Sequence, residues 1–285
     1  MNDLVLWVIL VTAVAGVGGT GLGGVVAALF KKDSSKTVSL LLSFAGGVML
    51  AVVCFDLIAG AMDAGSGAQY DALVHTVIGI LFGYVLVAVL NYVIDRNTNH
   101  ELPHTSADAH PKTADDLDEL IHSDHFAEHK KDNDQLFVAG VIMAAAIALH
   151  NLPEGMVIGA AYAGASTENV WSNSGILIAT VIGLHNIPEG MAVAVPLIAG
   201  GTKRWRAILV TALSGLPTVV GAVIGLLLGS MGPVWHTLSL GFASGAMLYV
   251  VFGELLPESI LMWRSKLPAA ALLVGMLVGM GIIYA

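Results

Sequence analysis

Apolar residues in this chain neither alternate nor recur every third or fourth position; they come in long runs. Eight mostly apolar stretches approach or exceed the 20 or so residues a helix needs to cross a bilayer. They cover roughly 4–30, 37–62, 72–94, 136–162, 174–199, 207–230, 235–260 and 268–285. Short polar turns separate them, with one long polar segment at 95–135. The pattern predicts an all-α membrane protein of eight transmembrane helices. It divides the chain into 1–94 (helices one to three), the loop 95–135, 136–199 (helices four and five) and 200–285 (helices six to eight). The opening residues MNDLVLWVIL have no basic residue ahead of the apolar run, so the first stretch is expected to be a retained span and not a cleaved signal.

Composition agrees with a lipid solvent: hydrophobic residues make up 56% of 285 and mean hydropathy is +0.81. Charge adds sidedness. Every one of the 12 Lys and Arg residues falls after an odd-numbered span. Lys31, Lys32 and Lys36 follow the first, Arg96, Lys112, Lys130 and Lys131 the third, Lys203, Arg204 and Arg206 the fifth, Arg264 and Lys266 the seventh. If all eight stretches cross, these loops share one face. The positive-inside rule makes that face cytoplasmic and puts both termini outside. The net charge of −9 is local, since eleven of the 21 acidic residues lie in 95–135. There is no basic patch for nucleic acid. The single Cys54 cannot close an internal disulfide and is expected to be a buried thiol.

Two long-range echoes point to duplication. Ile9–Ala13 (ILVTA) recurs at 208–212, and FAGGVMLAVVCFDLI at 44–58 aligns without gaps to FASGAMLYVVFGELL at 242–256, with eight of fifteen positions identical. The offsets, 199 and 198, are nearly equal. Helices one to three therefore repeat in six to eight. Related spans are five places apart in order, an odd number, so partners cross in opposite directions, an inverted repeat of the kind found in secondary transporters. Helices four and five are left at the centre.

Those two carry the chemistry. HNLPEGM at 150–156 returns as HNIPEGM at 185–191. His150 and Glu154 are i and i+4 on a helix and share a face, as do His185 and Glu189. Both pairs fall near mid-bilayer, where ionisable groups are costly and face the bundle interior. Pro153 and Pro188 have no N–H, which frees the carbonyls of Leu149 and Leu184 and loosens each helix there. Imidazole nitrogen, carboxylate oxygen and the amide oxygens of Asn151 and Asn186, without thiolate, suit a divalent metal: zinc first, with iron(II), manganese, cobalt or cadmium also fitting. One His–Glu pair alone could be a helix contact; two copies at one spacing and depth point to a site. An intramembrane metalloprotease would want HExxH, whereas here Asn follows each His and Glu comes four later. Transport, not catalysis, is the expectation, with no prosthetic group. A non-transporting metal sensor would need no inverted repeat.

At HNLPEG and HNIPEG the chain resembles the ZIP family of divalent-metal transporters, especially its bacterial branch. The resemblance extends to the eight-span plan and the long loop after span three. It implies a 3+2+3 helix arrangement, a metal centre between helices four and five, uptake towards the cytoplasm, a bacterial inner-membrane location and a homodimer. By position, His150, Asn151, Glu154, His185, Asn186 and Glu189 take the metal-binding role. One departure stands out. Relatives with two metals carry a helix-six carboxylate in Ser-Gly-Leu-Ala-Glu, whereas here Ser214-Gly215-Leu216 runs into Pro217-Thr218. With Thr218 there, and Asn186 where some relatives have Asp, one strong site is expected, formed by His150, Glu154, His185 and Glu189.

The repeat equates Asp56 with Glu254. Counted from their span starts, Asp56 falls near the outer mouth and Glu254 near the inner mouth, with Glu258 beyond it. They are candidate cation relays, the alternative being interfacial acids that reach for water. The segment 95–135 holds six of the ten His (His100, His104, His110, His122, His125, His129) and is expected to be disordered, either a solvated linker or a low-affinity metal acceptor. His75 and His236 fall at outer span ends. GVGGTGLGG at 16–24 lacks the GK[ST] ending of a phosphate loop and fits close helix packing better.

Overall fold

The structure is a computed structural model that describes residues 2–29, 35–64, 69–98, 133–163, 165, 170–171, 174–263 and 265–284. Described residues form helices and no strands. Helix α1 runs Asn2–Ala13, passes through a π-helical turn at Val14–Gly18 and continues as Gly19–Leu29. Helix α2 is built alike: Ser35–Val52, a π turn at Val53–Leu57, then Ile58–Ala64. Helices α3 (Gln69–Thr98), α4 (Asn133–Ala161) and α5 (Ser174–Ala199) are unbroken. Helix α6 has two parts, Arg204–Ser214 and Pro217–Ser230, and Pro217 starts the second, where its missing N–H costs nothing. Helix α7 runs Pro233–Tyr249, widens to a π turn at Val250–Leu255 and ends with Leu256–Met262; α8 is Leu267–Tyr284.

Among described residues, seven helices are long and apolar enough to cross a membrane, namely all but α4. The helix expected over 136–162 does form, as the 29-residue α4, which stands outside that set. Neither Pro153 nor Pro188 interrupts its helix. The segment 95–135 proves shorter than expected at both ends, because α3 continues to Thr98 and α4 begins at Asn133. Its six histidines lie outside the described residues. Cys54 corrects an expectation: it is exposed, and on its π turn Val53 and Leu57 are the buried residues instead.

The helices sort into two groups. Helices α1, α4, α5 and α6 pack on one another, and α2, α3, α7 and α8 do the same; the groups meet mainly where α7 crosses α4 and α2 crosses α5. Glycine sets the spacing inside each group. A Cβ on Gly155 or Gly159 of α4 would land on the carbonyl of Thr218 or Ala222 in α6, and one on Gly221 or Gly225 would land on that of Leu152 or Met156. Gly23 and Gly190 bring α1 and α5 together in the same way, against the carbonyls of Ile187 and Thr20. Lipid tails are as apolar as leucine, so such backbone contacts, not a hydrophobic drive, hold membrane helices together.

Positions that the two echoes equate make the same interactions. Ser39 donates to the carbonyl of Ser259 at 2.5 Å, and Thr237 to that of Ala61 at 3.1 Å; both members of the second pair are offset by 198 from those of the first. The π turns of α2 and α7 fall on aligned residues as well. The apolar stretches of α2, α5 and α7 are 67% buried, against 22% for α3 and 17% for α8, so the last two form the periphery.

Candidate metal centre

Helices α4 and α5 bring the doubled motif together. Glu154, His185 and Glu189 each offer a ligand atom, and these atoms lie within 4.8 Å of one another. Both glutamates are 0% exposed and His185 is 3% exposed. His185 Nε2 sits 3.0 Å from Glu154 Oε1. The other Glu154 oxygen and both Glu189 oxygens are buried without a hydrogen-bond partner. A buried carboxylate in that condition is several kcal/mol out of balance unless a cation meets it. A divalent ion with oxygen and nitrogen preference supplies that charge.

His150 is buried, but it is engaged elsewhere: its Nε2 lies 2.7 Å from Glu254 Oε2 of α7. Glu154 and Glu189 still act on it electrostatically. Sequence counting puts Glu254 at the inner mouth, whereas the structure has it against the motif. Glu254 lies on the π turn Val250–Leu255, which sets the direction of its side chain around the helix axis. Asp56, on the matching turn of α2, is partly buried and belongs to neither ion pair among the described residues. Glu258 lies in the Leu256–Met262 segment, with its side chain outside those described. His75 is near the start of α3, its Nδ1 2.7 Å from the Asp71 carbonyl oxygen.

The two asparagines are anchors before they are ligands. Asn151 donates to the carbonyls of Ile147 and Ser214, both at 3.0 Å, and its Oδ1 accepts from Thr218 at 3.2 Å and Asn186 at 3.4 Å. Asn186 also donates to the Ala15 carbonyl at 3.3 Å and keeps a buried, unpartnered Oδ1. Ser214 ends the first half of α6, and Ala15 is in the π turn of α1. Interrupted helices leave carbonyls to spare, and each motif asparagine fastens to one. Thr218 thus closes a neutral hydrogen-bonded network around Asn151, which shares its heptapeptide with Glu154. Neither the Glu254–His150 contact nor the two carbonyl anchors could be read from the sequence; the depth-matched acids on the repeat were the nearest signal.

Residues 3–285 match the family model described as ZIP Zinc transporter. The chain belongs to that family. It is 33% identical over 267 residues to "Zinc transporter ZupT" of Chlorobium chlorochromatii (strain CaD3), covering 91% of this chain and 90% of the relative. Over 284 residues it is 33% identical to the protein of the same name from Chlorobaculum parvum, covering 98% and 97%. The Akkermansia muciniphila protein of that name is 32% identical over 279 residues, with 96% of each covered. Membership in the ZIP family makes this chain a multi-pass membrane protein of a metal-transporter family and not an enzyme in the usual sense. The bacterial relatives match the branch to which the two heptapeptides point.

Proposed function

We propose that this ZIP protein carries divalent metal ions, zinc above all, into the bacterial cytoplasm across the inner membrane by alternating access. The buried cluster of Glu154, His185 and Glu189, with three carboxylate oxygens lacking any hydrogen-bond partner, carries the reading. His150 completes the set as a fourth ligand, and the buried Asn186 Oδ1, which has no hydrogen-bond partner, is a further donor. Iron(II), manganese, cobalt and cadmium fit the same donors less selectively. Thr218 and its amide partners bring no charge, so one metal per chain is the reading. Helix α4 is counted as the eighth span, on its length of 29 residues and its tight contact with α6. The matched hydrogen bonds and π turns support the inverted 3+2+3 plan. Family resemblance extends the reading to a homodimer, and the inverted repeat extends it to Asp56, Glu254 and Glu258 as cation relays along the path.

Purified protein in liposomes that enclose a zinc-sensitive dye decides between this reading and a sensor or structural role. External zinc should enter at a rate that scales with protein content, and metal analysis should return one tightly held zinc per chain. Zinc binding without entry would refute transport, and two mid-membrane metals would refute the single site.

A further inference from the structure

The two ring nitrogens of His150 are in different conditions. Nε2 lies 2.7 Å from Glu254 Oε2, while Nδ1 is buried without a hydrogen-bond partner. With Nε2–H donating to the carboxylate, Nδ1 is the nitrogen whose lone pair is open to a metal. The cluster of Glu154, His185 and Glu189 supplies three ligands, and zinc prefers four. His150 stands outside that cluster, but it shares a face of α4 with Glu154, and both motif glutamates act on it electrostatically. Glu254 is a different kind of neighbour. His185 also touches a carboxylate, yet its partner Glu154 belongs to the cluster, whereas Glu254 does not. Glu254 comes from α7, in the other helical group, and α7 is fastened to α4 a second time where His236 bonds to the backbone of Ala160.

We infer that Glu254 is a positioning residue for the metal centre: it accepts the Nε2 proton of His150 and so presents Nδ1 to the ion. It is not itself a ligand while the ion occupies the centre. A metal-ligating histidine almost always gives its other N–H to a carboxylate, a carbonyl or water, which fixes the tautomer and the ring orientation and makes the ligating nitrogen more basic. The His150–Glu254 contact therefore stays closed when the site fills. A site whose four ligands all belong to α4 and α5 takes the orientation of one of them from α7. Its affinity thus depends on how the two helical groups meet, and a movement that withdraws α7 from α4 weakens the hold on the ion. The second Glu254 oxygen, Oε1, is buried without a partner, so direct ligation through it is the rival to exclude. The inference rests on the metal-transport reading. A parent protein that binds no zinc refutes that reading, whereas zinc bound through the wrong atom refutes only this inference.

The test uses the full chain in lipid bilayers, with isotopically labelled histidine read by solid-state nitrogen NMR. The His150 signals are assigned in the metal-free protein by their loss in His150→Gln. Stoichiometric zinc should move Nδ1 to its metal-bound position and leave Nε2 protonated. Zinc affinity, measured by competition with a fluorescent chelator, should fall about 10- to 100-fold in Glu254→Ala, the usual effect of losing such a partner. Glu254→Gln, whose amide oxygen can still accept the Nε2 proton but is a poor ligand, should bind zinc between the parent and Glu254→Ala. The inference is overturned if zinc sits on Nε2, if Glu254→Gln binds as weakly as Glu254→Ala, or if Glu254→Ala binds as tightly as the parent. The NMR measurement on the parent needs no Glu254 variant, so it decides even where Glu254→Ala does not fold.

Discussion

Glu189 has both oxygens buried and unpartnered, which costs the fold; on the proposed reading its charge serves the metal. Glu189→Gln keeps the shape and removes the charge. Zinc affinity should fall about 100-fold or more, in the range that loss of a metal's support brings. The metal-free protein should at the same time gain about 1 kcal/mol, because an amide is cheaper to bury than a carboxylate. Zinc titration by calorimetry and thermal unfolding in a chelator read the two effects separately; a parallel loss in both would mean that Glu189 is structural. At this scale the sequence was informative about identity. Two His–Glu pairs at helical spacing could only share faces, and both faces turned inward. What each nitrogen touches was out of reach, because His150 and Glu254 are 104 positions apart and an extra residue in α7 aims the acid.

Between elements, contact is backbone on backbone. Gly159→Val should push α4 and α6 apart, since even one Cβ there meets the carbonyl of Ala222. The loss should reach about 3 kcal/mol, the upper part of what overpacking costs. Gly281→Ala in α8 has open space and should stay within about 0.5 kcal/mol of the parent. Fluorescence-detected size exclusion on a temperature gradient compares the two, and equal melting would refute close packing at Gly159. Helix positions were legible because a bilayer demands uninterrupted apolar runs. The π turns and the two-part α6 were not, since Val53–Leu57 and Val250–Leu255 contain no helix breaker except Gly253. Only Pro217 advertised its interruption.

For the whole molecule, sidedness follows from charge. With all 12 basic residues after odd-numbered spans, a phosphatase fused beyond Tyr284 should be active outside the cytoplasm, and one inserted near Lys203 should be silent. A cytoplasmic C-terminus would remove one span from the count and put the inverted plan in doubt. The two-group packing of α1, α4, α5 and α6 against the other four was invisible in the sequence. Small residues recur in almost every span here, 33 glycines in all, and nothing in their spacing states which helix each will meet.

The π turns of α2 and α7 place the aim of Asp56 and Glu254 in chain length as much as in side-chain type. A wide turn arises when one residue is added to an α-helix while the flanking segments keep their faces. Removing one residue from Val250–Leu255 would therefore leave the packing on either side nearly intact and swing the acid away by about 100°, the rotation of one α-helical residue. Substitution scanning would pass over that property. Single-residue deletions would expose it.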